Sequence, residues 1–174
     1  MDVSRIRIGL ALVLGVLLAV TASGAFDAVQ PALFAQLVVI GPAVLLVAGR
    51  GVALRVFVEV LAVVTGVTLA VLVAGGALSD VSEALVHGPR QLLTTEWPSP
   101  SVPTVVGAVA LLTGATSAIA SDLAGRSRLH LAPLAVYVVG WAAAMAIGAP
   151  VRPPGWVMVC LLYTSDAADD SALV

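Results

Sequence analysis

Apolar stretches long enough to cross a membrane dominate this chain and constrain its fold more than any other feature. A helix that spans a bilayer needs about 20 mainly apolar residues, within a range of about 17–25. Five complete stretches of this kind run over residues 8–26, 32–49, 56–78, 102–120 and 131–150, and a sixth opens at Trp156. In hydrocarbon the backbone must satisfy its own hydrogen bonds, which leaves helices or closed barrels. Barrel strands alternate over segments of about 10 residues, and these stretches are longer. The expected fold class is therefore all-α: a polytopic transmembrane helix bundle with five complete spans and a truncated sixth over 156–159. Composition agrees. Of 174 residues, 60% are hydrophobic and 10% charged, against about 45–50% and about 25% in an ordinary soluble domain.

The first stretch, with Arg5 and Arg7 ahead of it and Thr21-Ala22-Ser23-Gly24-Ala25 near its end, has some features of a cleaved signal peptide. Its apolar run exceeds the usual core of about 7–15 residues, and another span follows directly, so it is read as a retained helix. Orientation follows from the arginines, which supply all eight basic residues. A cytoplasmic N-terminus places Arg5, Arg7, Arg50, Arg55, Arg126 and Arg128 inside and only Arg90 and Arg152 outside. The positive-inside rule favours that split over its inverse. The expected location is the cell membrane, multi-pass, with the N-terminus in the cytoplasm.

Residues 27–31, 50–55 and 151–155 read as tight turns between antiparallel neighbours, while 79–101 forms a long connection on the outer side. Its first part, Ser79–Val86, has a Ser or Asp cap, Glu83 near the third helical position and apolar residues at 81, 84 and 85. It reads as a short helix over the bundle end, with Val81, Leu85, Leu92 and Leu93 available to a membrane surface. Pro89 limits its length, and Pro98, Pro100 and Pro103 hold the approach to the fourth span extended. Trp97, Trp141 and Trp156 are candidate interface anchors.

Little in this pattern points to chemistry. A Cys/His nucleophile needs a thiol, a base and an orienting group in one site. Here the only cysteine, Cys160, stands at the start of a span, and His87 and His130 fall on opposite sides of the membrane. The same separation argues against a metal site. No glycine-rich phosphate loop follows a strand, and the net charge of -2 offers no basic surface for nucleic acid. No cofactor is expected. Gly41-Pro42 reads as a local kink, and Gly107, Ala110 and Gly114 as a helix contact face. The exception on energetic grounds is Glu59, because a carboxylate within a span costs about 2.5–3.5 kcal/mol at mid-bilayer. Arg55 lies four residues earlier on the same helix face, and Arg55 with Glu59 forms the candidate intramembrane ion pair. Thr65, Thr68, Thr113, Thr116 and Ser117 are the other polar groups within the spans.

The C-terminus departs from the pattern. After Val159 the sixth span gives way to Cys160-Leu161-Leu162-Tyr163-Thr164-Ser165-Asp166-Ala167-Ala168-Asp169-Asp170, too polar for a spanning helix. Residues 160–169 are what a transposase mosaic-end sequencing adapter encodes in this frame, and after an index over 170–173 the adapter's later bases encode Val174 followed by a stop. The expectation is a native transmembrane domain over 1–159 and a non-native tail over 160–174.

Two loops carry a resemblance. His87-Gly88-Pro89-Arg90-Gln91-Leu92-Leu93 followed by Pro98-Ser99-Pro100 is one. Ser121-Asp122-Leu123-Ala124-Gly125-Arg126-Ser127-Arg128 leading to Leu131-Ala132-Pro133-Leu134-Ala135-Val136-Tyr137 is the other. Together they resemble the N-terminal membrane region of actinobacterial transglutaminase-like (TgpA-type) membrane proteins. Gly140 and Trp141 after Tyr137 depart from that family, which carries a further proline there. The absence of Lys and Asn, whose codons are A-rich, fits a GC-rich genome. The resemblance implies a membrane-anchoring module, not itself an enzyme, whose parent carries a papain-like Cys-His-Asp domain outside the membrane. Its implied partners are the lipid bilayer and that domain; no catalytic residue transfers to this chain, Cys160 included. The alternatives are a fragment or subunit of a small polytopic transporter, which would call for internal repeats and deep charge, and a membrane protein with another structural role.

Overall fold

A computed structural model describes residues 3–24, 26, 30–47, 50–94, 100–126 and 132–146. Among them the chain is all-helical, with seven helices and no strand. They are α1 (Val3–Ser23), α2 (Ala32–Val47), α3 (Val52–Val73), α4 (Leu78–Val86), α5 (Gly88–Thr94), α6 (Pro103–Arg126) and α7 (Ala132–Ala146). α1, α3 and α6 are long and apolar enough to cross a membrane, and α2 and α7 are shorter apolar helices. The expected sixth span and the 160–174 tail lie outside the described residues, as do Trp97, His130 and the turn 151–155.

The helix boundaries differ from the apolar stretches for local reasons. α3 starts at Val52, after an extended Gly51, so Arg55 belongs to the first turn of a helix and not to a connecting turn. It ends earlier than the apolar run because Gly75 takes a φ of 83°. The Gly75 and Gly76 N–H groups donate back to Leu72 O and Val71 O, closing a Schellman cap that a Cβ at 75 would oppose. Leu78 therefore opens α4. That helix is capped differently from the expected pattern: Asp80, not Glu83, holds the third position, and its carboxylate accepts the Ala77 N–H at 2.8 Å. Pro89 falls in the first turn of α5, and Pro103 is the first residue of α6, where a missing N–H costs nothing. α2 runs through Pro42, with Gly41 against Leu12. α6 continues past residue 120 to Arg126, which makes Ser121 and Asp122 helical.

α6 is the hub. It packs against every other described helix, and 72% of its apolar window is buried, against 33% for α3. Close contacts along its length fix the directions of its neighbours. Gly107 meets Val71 of α3 and Ala84 of α4, and Gly88 meets Ala108. Gly114 meets Gln36 of α2, Gly15 of α1 meets Ser117, Gly140 of α7 meets Thr116, and Gly125 meets Ile8. α1, α3 and α7 thus run in one direction and α2 and α6 in the other. The anticipated contact face of Gly107, Ala110 and Gly114 is buried throughout.

The interior includes large side chains such as Ile8, Leu33 and Ile40, but small ones are common there and many large apolar ones lie on the surface. The interior is rich in small and hydroxyl residues, with Ala32, Ala70, Ala110, Thr113, Ser117, Ala120 and Ser121 all at 0% exposure. Large apolar side chains point outward, among them Val38, Leu46, Phe57, Val60 and Val139.

If this close packing holds the bundle together, adding one methyl at a tight glycine should be costly. A Cβ at Gly107 would lie 2.6 Å from Val71 Cγ2 and 2.8 Å from the Ala84 Cβ, whereas nothing lies within 4 Å of one at Gly9. Gly107→Ala is expected to destabilise by about 1–3 kcal/mol, and Gly9→Ala to be neutral or slightly stabilising. Unfolding in mixed micelles, followed by helicity, reads both.

Candidate functional site

The strongest polar contact in the bundle joins the start of α3 to the end of α6. Arg55 Nη1 donates to Asp122 Oδ1 at 2.9 Å, with the side chains only 10% and 6% exposed. Arg55 Nη2 donates to the Arg50 carbonyl, also at 2.9 Å, so the guanidinium ties the 50–51 turn to both helices. α3 and α6 are antiparallel, which is why residues 67 positions apart in sequence meet. Glu59, the expected partner, sits one turn further along α3 and is half-buried. Asp122 was legible only as part of a loop, because its partner lies on another helix.

A second polar centre lies deeper. Gln36 of α2 is fully buried, and its Nε2 donates to Thr113 Oγ1 on α6. Two glycines make room for it: a Cβ at Gly66 would lie 3.0 Å from the Gln36 Cβ, and one at Gly114 would lie 2.7 Å from Oε1. An amide thus sits between three helices. Gln36 corrects the inventory of polar groups within the spans, as do Tyr137 and Ser121. The signal for Gln36 was present, a lone Gln in an apolar run, but its neighbours' hydropathy masks it.

The third centre is Tyr137 on α7. Its hydroxyl donates to the Ala11 carbonyl of α1, and the Ser117 and Tyr137 hydroxyls both lie against Gly15. Four hydroxyls within the long helices are turned onto their own helices. Thr68 donates to Val64 O, Thr113 to Val109 O, Thr116 to Leu112 O and Ser117 to Thr113 O. Such back-bonding satisfies the donor within the helix.

These groups can orient and fasten helices. His87 is exposed at the junction of α4 and α5, and Cys160 and His130 lie outside the described residues. Among the described residues no cluster of three or more His, Cys, Asp or Glu side chains is placed to hold a metal ion. No protein-family model, curated protein or solved structure matches the chain.

Removing one member of a buried pair leaves the other charge uncompensated, at a cost of about 3–5 kcal/mol, while replacing both by apolar residues is often neutral. Asp122→Leu or Arg55→Met alone should therefore lower stability by that order, and the double variant should recover most of the loss. A double-mutant cycle in mixed micelles measures the coupling; purely additive losses would show that the pair does not fasten α3 to α6.

Proposed function

We propose that this chain is the membrane-anchoring N-terminal module of a transglutaminase-like membrane protein, a multi-pass unit of the cell membrane that performs no chemistry itself. The observation that supports the membrane part is the number of large apolar side chains on the surface of the bundle. Between helices in lipid there is no hydrophobic drive, so contacts rely on small residues and interhelical hydrogen bonds, while large apolar side chains face the acyl chains. In water the exposed Phe57, Leu46 and Val139 would form an extensive apolar surface of the kind that drives aggregation.

In this reading five helices cross the bilayer and the N-terminus lies in the cytoplasm. The alternating directions of α1, α2, α3, α6 and α7 fit successive crossings. The arginine distribution supports the orientation. The short α2 and α7 lie within apolar stretches, 32–49 and 131–150, that are longer than the helices.

The family part rests on the resemblance carried by residues 87–100 and 121–137. It makes the lipid bilayer and an extracytoplasmic catalytic domain the partners of this module, and it assigns none of its residues to catalysis. Placement of charge favours an anchor over the transporter alternative. The Arg55–Asp122 pair lies near the ends of α3 and α6, and Gln36, the deeper polar group, is neutral.

Two experiments test the proposal. Reporter fusions after Gly51 and after His87 should show the first site in the cytoplasm and the second outside; the reverse pattern overturns the orientation. Genomic DNA sequenced outward from the codons for Trp141–Val159 should continue into a completed helix and a domain bearing Cys, His and Asp. A native frame ending at Val174 would remove the basis for the family assignment.

A further inference from the structure

We propose that the first turn of α3 binds the phosphate of an anionic phospholipid in the cytoplasmic leaflet. This rests on the membrane reading and orientation above and deepens them by naming a lipid class and its place. The start of α3 is an open helix end. Gly51, its N-cap, has an extended backbone and no side chain to offer, and no acidic residue falls in the first turn. The first backbone bond of the helix runs from the Arg55 N–H to the Gly51 carbonyl. That leaves the N–H groups of Val52, Ala53 and Leu54 without an acceptor among the described residues. Residues 50–54 are all exposed. Such N–H groups carry the positive end of the helix dipole, and phosphate is what they commonly take.

Water alone would satisfy an open helix end, but here two arginines meet at it. Arg50 stands directly before the N-cap, is exposed and has no ion-pair partner among the described residues. Arg55, in the first turn, is only 8% exposed. Its Nη1 donates to Asp122 and its Nη2 to the Arg50 carbonyl, while its buried Nε has no acceptor. A guanidinium is planar, and its Nε–H points along the same edge as one Nη2 N–H. The unmet donor therefore faces the side on which Nη2 meets the Arg50 carbonyl, which is the start of the helix. A phosphate oxygen seated in that turn is the acceptor this edge lacks. Asp122 is matched by Arg55, so the charge left over is that of Arg50, added to the helix end.

The level of this turn selects a lipid over a soluble anion. α3 has 22 residues, about 33 Å of helix, close to the hydrocarbon thickness of about 30 Å. With α3 across the bilayer, Arg50 and Gly51 lie at the boundary where headgroup phosphates are found. The side chains that follow on the surface, Val52, Leu54, Val56 and Phe57, are apolar and exposed, which suits the acyl chains below such a headgroup. A zwitterionic headgroup would bring a cation of its own to an end that is already positive. A net-anionic lipid is favoured for that reason.

Spin-labelled lipids test this with the full chain reconstituted in phosphatidylcholine vesicles. Trace spin-labelled phosphatidylglycerol should show a larger fraction motionally restricted by the protein than spin-labelled phosphatidylcholine. Gly51→Ser keeps the net charge and supplies a hydroxyl that caps the free N–H groups; it should remove most of that excess while helicity and thermal stability hold or rise. Arg50→Gln, which leaves the backbone carbonyl and its bond to Arg55 in place, should do the same. If both lipids are restricted equally, or if the excess survives both substitutions, the site is not at the start of α3 and the proposal fails. If added inorganic phosphate removes the excess, the occupant is a soluble anion and the lipid assignment falls. If neither lipid is restricted, the bundle is not in the bilayer, and the membrane reading fails and takes the site with it.

Discussion

Six helices pack against α6, and small residues at many of the contacts let them come close. Dispersion falls off steeply with distance, so two helices without a hydrophobic drive between them gain only from close approach. Gly107, Ala110, Gly114, Ser117 and Ser121 let the neighbouring backbones come near, and glycines at 15, 88 and 140 return the same allowance from the other side. The directions of the neighbouring helices and the positions of α4 and α5 follow from where those notches fall. A Cβ at Gly107 or Gly88 would have to displace short side chains such as Val71, Ala84 and Ala108, which have few rotamers to spare.

The polar groups inside the bundle do a related job at specific levels. The Gln36 amide reaches Thr113 across α2 and α6 at mid-length, in space left by Gly66 and Gly114. Nearer one end, Arg55 joins Asp122, with the Arg50 carbonyl taking a second guanidinium bond. Tyr137 fastens α7 to α1 through the Ala11 carbonyl. An apolar interface of small residues tolerates sliding by a turn; a hydrogen-bond partner at a fixed depth does not. The polar contacts thus set the register of helices whose apolar surfaces are nearly interchangeable.

Much of this was legible in the sequence because length and apolarity are properties of a segment. The helices appear where the apolar stretches lie, and the Gly107–Ala110–Gly114 face was readable from spacing alone. Termini were less legible because they depend on backbone details. The Gly75 cap stops α3 inside an apolar run, and α6 continues through Ser121 and Asp122 because a helix need not end where its hydropathy falls. Partners were least legible. Arg55 meets Asp122, which antiparallel packing brings to it. Gln36 is averaged away by its apolar neighbours. Such contacts require knowing which helices adjoin, and nearly uniform apolar surfaces carry little of that information.

In the proposed arrangement the long helices stand across a bilayer with large apolar side chains in lipid. Polarised infrared spectroscopy of the chain in oriented bilayers tests it most directly. The amide I dichroism is expected to place the helix axes, on average, within about 20–30° of the bilayer normal, with the short α4 and α5 lowering the average order. Dichroism indicating axes lying mainly in the membrane plane, or no preferred direction, would contradict the account.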